Sequence, residues 1–288
     1  MTASAYHLFE DLYQRRGNLA KQSIKADKLA LKDSLIACAG GRGQFPDMVL
    51  RTNTGDADFN GGELIEIKDA AAGYSIAPFN STIPTGVKRI EEVAKAGGAL
   101  YRKLQAADGD PARRPLREVY YLIRGLKGGR AKVCLVHGLF FETIPVDENI
   151  KGAVGQAIAE AAQASPGLDS DEIQRASKTV AALNWKQAHL SKTRIAEGAA
   201  VGIRYRAMAG AVADANLLNA GKYPQIKDDT LNMIVPAHGG DNADAVAAKT
   251  ALMEKAFGVA PGELPANIAV FEMMHLLNGP FVVFQAPL

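Results

Sequence analysis

Between residues 46 and 69 apolar and polar positions alternate in two short runs. Pro46-Asp47 heads Met48-Val49-Leu50, a glycine-bearing stretch from Gly55 to Gly62 follows, and Leu64-Ile65-Glu66-Ile67-Lys68-Asp69 forms the second run. Short apolar runs separated by glycine-rich turn chemistry predict a β-hairpin. Asp47 falls on its first arm and Glu66-Ile67-Lys68 on its second. Side chains alternate along a strand, so Leu64, Glu66 and Lys68 share one face while Ile65 and Ile67 enter the core from the other.

The remaining pattern predicts helices around this hairpin. Residues 4–38 read as two helical pieces, the second carrying Ile24, Leu29, Leu31, Leu35 and Ile36. Thr85 is a suitable N-cap for a helix running to about Gln105, with Lys88 and Arg89 in its first turn and Gly97-Gly98 interrupting its pattern. Residues 118–123 and 131–137 are β-branched and aromatic, as strands at a sheet centre are; 140–144 is a further short strand. From Asn149 the composition becomes alanine-rich, and helices are expected over 150–164, 169–183, 184–196 and 198–219. Residues 231–235 are β-like, 243–257 helical, and 270–274 and 281–284 read as a helix and a closing strand. The resulting expectation is an α/β fold, a central mixed β-sheet flanked by helices, with an alanine-rich helical region in the second half. The division expected is 1–148 as a core carrying the hairpin and 149–288 as a mainly helical region packed on it.

Composition changes this picture little. The 288 residues include no apolar run long enough to span a membrane. The N-terminus lacks the pattern of a secretory signal, so the expected location is cytoplasmic. Cys38 and Cys134 form no Cys-x-x-Cys pair, and two reduced, buried thiols are expected rather than a zinc site. Net charge is only +2, but its distribution is uneven. Residues 86–133 hold 12 Lys/Arg against 5 Asp/Glu, and 175–206 hold 7 against Glu197 alone, whereas 207–288 hold 4 lysines against 8 acids. Basic surface concentrated mid-chain suits phosphate contacts and equally describes solvated faces.

The hairpin supplies the candidate chemistry. Two carboxylates converging from adjacent strands suit a hard cation such as Mg²⁺. A lysine beside them can orient a water and offset charge on a phosphate, which together equip a site for metal-assisted phosphodiester hydrolysis. An ordinary hairpin with a Glu/Lys pair on its wet face has the same pattern. His137 is expected as a hydrogen-bonded histidine at a strand end, and His238, beside two glycines, has no partner at metal-ligand spacing.

Pro46-Asp47, 18 intervening residues and Glu66-Ile67-Lys68 resemble the active-site motif of the PD-(D/E)XK nuclease superfamily, in particular its type II restriction endonucleases. The resemblance covers the hairpin and a small part of the chain. It implies a restriction-endonuclease-like sheet and a Mg²⁺-dependent enzyme that hydrolyses double-stranded DNA at a specific site. Asp47 and Glu66 would hold the metal with the Ile67 carbonyl as a further ligand, Lys68 would serve the attacking water, and a homodimer would match a symmetric site. Some members add an acid from a preceding helix, for which Glu10 is the candidate. Asn80, Ser81, Thr82, Lys88 and Arg89 are candidate phosphate contacts. Lys192, Arg194, Arg204 and Arg206 are candidate DNA-reading residues, since arginine pairs bidentately with guanine. Two other readings stay open: a structure-specific repair or recombination nuclease of the same superfamily, and a non-enzymatic DNA-binding or scaffold protein.

Overall fold

The computed structural model describes residues 4–39, 45–52, 59–70, 73–76, 78–79, 84–142, 146–165, 167, 169–183, 194–198, 201–205, 209–237 and 242–288, with backbone alone at 146–147, 181, 194–198, 201–205 and 242–243. In chain order the elements are α1 (Ala5–Gln14), α2 (Arg16–Leu19), β1 (Ile36–Ala39), β2 (Met48–Leu50), β3 (Leu64–Ala70), β4 (Val87–Arg89), α3 (Ile90–Val93), α4 (Ala99–Asp108), β5 (Leu116–Lys127), β6 (Arg130–His137), α5 (Val146–Gln163), α6 (Ser170–Ala182), β7 (Arg194–Gly198), β8 (Val201–Tyr205), β9 (Thr230–Pro236), α7 (Asn242–Phe257), β10 (Ala269–His275) and β11 (Gly279–Pro287).

The chain divides into two compact units. The first comprises 1–78, 85–141 and 210–288, the second 79–84 and 142–209. This differs from the expected division at 148/149, because β9, β10 and β11 return to the sheet begun by the N-terminal half.

The first unit is built on a mixed sheet in the order β1-β2-β3-β5-β6-β9-β11-β10, with β4 pairing the first residues of β5. β3 runs parallel to β5 and β6 to β9, and the other pairs are antiparallel. β5 and β6 are apolar on both faces because both faces are covered. Their connection needs two left-handed residues, supplied by Gly128 (φ 58°) and Gly129 (φ 78°). One face presents Ile65, Tyr120, Leu122, Leu135, Met233 and Phe284 to α1 and α7 through Leu8, Phe9, Leu12 and Met253. The other presents Leu64, Val119, Tyr121, Val136 and Phe281, and Phe140 and Tyr223 form an aromatic cluster with Phe281 there. Both Cys38 and Cys134 are buried and unpaired with each other, as expected. Among the described residues no helix is long and apolar enough to cross a membrane.

The second unit holds α5, α6 and the β7–β8 hairpin. The α6 start is closed reciprocally: Asp169 accepts the N–H groups of Asp171 and Glu172, and Glu172 accepts that of Asp169. Helices were expected across 184–219, but Arg194–Gly198 and Val201–Tyr205 are paired strands, and 210–222 is turns. Ile195, Val201 and Ile203 are β-branched and favour the ladder once it forms.

Three other segments depart from the sequence pattern. Residues 20–35 form turns rather than a second helix, and β1 follows. Lys88 and Arg89 lie on β4, not in a helix's first turn; Thr85 donates its hydroxyl to the Val87 carbonyl instead of capping. Residues 270–274 belong to strand β10, not a helix.

Candidate active site

β2 and β3 are antiparallel, with Val49 opposite Leu64 and Met48 opposite Ile65. Asp47 stands one residue before β2, where that ladder ends, and its Oδ2 accepts the Ile67 N–H at 2.7 Å. In an extended strand the N–H and C=O of one residue point to the same edge, so the Ile67 carbonyl is directed to the edge occupied by Asp47. Glu66 and Lys68 share the face opposite α1, as alternation predicts, and Lys68 Nζ donates to Glu66 Oε1 at 2.7 Å. Their side chains are only 12% and 11% exposed. Glu66 Oε2 is buried and has no hydrogen-bond partner among the described residues.

Electrostatics make this grouping unusual. Burial pushes the Asp47 carboxyl above its ordinary range, opposed by the Ile67 N–H and by Lys68. Burial also raises Glu66; Lys68 opposes this, while the Asp47 charge adds to it. Lys68 thus counters both carboxylates, and burial outweighs its effect on each. The donors are hard oxygens, and an unsatisfied buried oxygen sits among them. That combination fits a small divalent cation, which commonly takes one or two carboxylates and keeps several waters. No group of three or more His, Cys, Asp or Glu side chains able to hold a metal occurs among the described residues, so the protein donors would be Asp47, Glu66 and the Ile67 carbonyl.

Behind this trio lies a network that the pattern of the chain did not single out. Asp69 projects to the opposite face and receives Arg124 Nε at 2.7 Å, Ser23 Oγ at 2.7 Å and the Ile24 N–H at 3.3 Å. Arg124 also donates to the carbonyls of Leu19 and Gln22. The available signal was an arginine inside the apolar run 119–126, since a charge buried in a strand requires a partner.

Glu10 lies on α1, across the sheet from Glu66, and its Oε2 accepts Lys32 Nζ at 2.8 Å. His137 Nδ1 accepts the Leu139 N–H at 3.2 Å, and its ring meets Tyr120 edge-on, as a strand-end histidine was expected to do. Lys88 is buried opposite Arg117; the register places it on the sheet face of Val119 and Tyr121, hence of Glu66. Its ammonium lies 5.6 Å from the Phe45 ring, two residues before Asp47. Arg89 is exposed, 3.9 Å from Glu91. Asn80, Ser81, Thr82, Lys192, Arg206 and His238 fall outside the described residues, and Arg194 and Arg204 are placed on β7 and β8 by backbone alone. Comparison with family models, with curated proteins and with solved structures found no match for this chain.

Proposed function

We propose that the protein is a Mg²⁺-dependent type II restriction endonuclease of the PD-(D/E)XK superfamily, hydrolysing double-stranded DNA at a specific site. The observation carrying this reading is Asp47, at the head of β2, and Glu66, on the adjacent β3, with Lys68 two positions beyond Glu66 on the same face and Glu66 Oε2 buried without a hydrogen-bond partner among the described residues. The mixed sheet with helices against it supports the same reading.

Asp47, Glu66 and the Ile67 carbonyl would hold the cation, which when bound supplies Lewis-acid polarisation of a phosphoryl oxygen and lowers the pKa of a coordinated water. The Ile67 N–H fixes one oxygen of Asp47 and so orients the carboxylate. Glu66 restrains Lys68 through its Oε1. Lys68 directs its ammonium at the water that attacks phosphorus and offsets the negative charge that grows on the phosphoryl oxygens. A symmetric recognition site would be met by a twofold dimer of this chain.

Digestion of plasmid DNA with Mg²⁺, followed by end mapping, tests the proposal. Discrete fragments with common ends are expected. Asp47→Ala and Glu66→Ala should each abolish cutting while leaving DNA binding in place, because each removes a ligand but no cationic surface. Normal turnover by either variant would sink the site. Cutting only at junctions or free ends would replace restriction with structure-specific repair, and metal-independent binding without cutting would make the protein a non-enzymatic DNA binder.

A further inference from the structure

A second feature lies on the sheet face that carries Glu66 and Lys68. Lys68 stands beside Ile123 in the β3–β5 register, and residues 123, 125 and 127 of β5 share that face. Across the β5–β6 hairpin, Gly125 pairs with Lys132 and Lys127 with Arg130, so three cations gather on this face around one turn. Beside them is an open cleft of about 820 Å³, lined by Tyr74, Lys127, Arg130, Asn216, Asn219 and Asp228. Gly125 is what lets its wall close: a Cβ there would meet Leu218 Cδ1 at 2.7 Å and Tyr74 Cδ1 at 3.0 Å.

The charges do not balance. Like charges directly opposite each other on an antiparallel pair are unfavourable, and Lys127 and Arg130 are such a pair. Arg130 reaches Asp228 at 3.7 Å and Asp229 at 4.0 Å, and the buried Lys132 shares Asp228 at 3.7 Å. Lys127 has the Tyr74 ring at 5.9 Å and no carboxylate within ion-pairing distance among the described residues. Three cations thus meet two carboxylates beside open space. Asn219 adds a side-chain amide whose oxygen already accepts the Gly221 N–H. Cations and amide donors around a cleft are what a phosphate oxygen requires.

We propose that this cleft holds a backbone phosphate of the duplex bound at the Asp47–Glu66–Lys68 site. The identification of the polymer rests on the nuclease reading above. From residue 123, beside Lys68, to residue 127 is roughly 13 Å of strand, so the phosphate held here is a different one from the phosphate at the cut. The cleft positions DNA and reads no base.

The test is fluorescence anisotropy of a labelled duplex in EDTA, which separates binding from chemistry, over salt from about 50 to about 200 mM. The double variant Lys127→Gln/Arg130→Gln should bind about fivefold more weakly at the upper salt, and the slope of log affinity on log salt should flatten by roughly 0.9, one phosphate contact's worth. A thermal melt matching the parent will show that the hairpin register is kept. Lys28→Gln, an exposed cation on the segment that covers the other sheet face, should leave affinity and slope unchanged. Parental affinity and slope in the double variant would overturn the proposal. So would inorganic phosphate competing as well as unlabelled duplex at equal ionic strength, because the cleft would then be a free-phosphate site. A parent that binds DNA through these cations yet cuts none removes the nuclease reading and leaves the cleft a DNA contact. A parent that cuts while the double variant binds unchanged does the reverse.

Discussion

Glu66 is held above its ordinary range by burial and by Asp47, with Lys68 pulling it down. A carboxylate must be ionised to hold a cation, and a raised pKa means protonation begins at higher pH than usual as acid is added. Protons therefore compete with Mg²⁺ for Glu66 from a higher pH than for an ordinary glutamate, and the Mg²⁺ concentration for half-maximal single-turnover rate should rise as pH falls. Lys68→Ala removes the opposing charge and its hydrogen bond, so that dependence should begin closer to neutral pH while the rate at saturating Mg²⁺ falls on the order of a hundredfold or more. Parental behaviour in Lys68→Ala would make Lys68 a structural partner of Glu66 with no part in the chemistry. The same shifts carry a stability consequence. A folded carboxylate with a raised pKa binds protons that the unfolded chain has released, so metal-free stability declines as pH rises through the window between the unfolded and the raised folded value. Asp47→Asn keeps an acceptor for the Ile67 N–H and removes one of the crowded charges; it should melt higher than the parent in EDTA at neutral pH. The shared face of Glu66 and Lys68 was legible because strand periodicity is two. The Asp47 bond to Ile67 was not, because it depends on hairpin register, which the intervening chain from 51 to 63 sets.

At the scale of elements, two buried carboxylates fasten parts that the hydrophobic pattern misjudged. Asp69 binds Ser23 and the Ile24 N–H, and Asp11 accepts the Lys32 N–H at 3.2 Å. The second of these bonds takes a backbone donor, the Lys32 N–H, that a helix over 24–36 would need, and Ile24, Leu29 and Leu35 reach the core from turns. Similarly, Val119 donates to the Gly86 carbonyl and draws 87–89 into the sheet, while Gly97 at φ 74° ends the turn before α4. Helical spacing alone carries none of this information, although it did locate α1, α5, α6 and α7. Arg124→Ala would strand Asp69 without its charge partner and should destabilise by about 3–5 kcal/mol, measured by denaturant unfolding. Glu63 fastens the start of α1 by accepting the Ser4 N–H at 2.8 Å. Burial raises its carboxyl from 4.5 to about 7, a shift corresponding to about 3 kcal/mol. Folding therefore favours the protonated form, and stability should fall as pH rises from about 4.5 through about 7. Glu63→Gln keeps the acceptor and has no charge to bury, so its melting temperature should lose that part of the dependence. An unchanged slope between parent and variant would assign the pH response elsewhere.

At the scale of the molecule, sequence order misled where the chain leaves a unit and returns. The alanine-rich change at Asn149 was real, α5 spans it and α6 follows, but it marks an insertion and not a C-terminal domain: 210–288 rejoin the first unit, where β9 lies parallel to β6 and β11 pairs with β9. Pairings between strands roughly 50 to 100 residues apart leave no local trace, because an apolar strand can satisfy any apolar neighbour. The architecture yields a final prediction. The first unit contains every strand of the main sheet, helices α1, α2 and α7 on one of its faces, and the Asp47–Glu66–Lys68 trio. Residues 143–208 contain Lys192, Arg194, Arg204 and Arg206, the candidates for reading bases. Replacing 143–208 by a flexible Gly/Ser linker should therefore leave a cooperatively melting protein that retains its β-sheet circular dichroism and its salt-dependent binding to random DNA. Preference for the cognate site should vanish, whereas a single-arginine change should cost about 1–3 kcal/mol at one base position. Binding of parent, single variants and shortened chain to cognate, singly altered and random duplexes measures both effects. A shortened chain that folds and still prefers the cognate site would move base reading to the first unit. One that folds and loses all DNA binding would place the principal phosphate contacts, including those assigned to Lys127 and Arg130, in the excised segment instead.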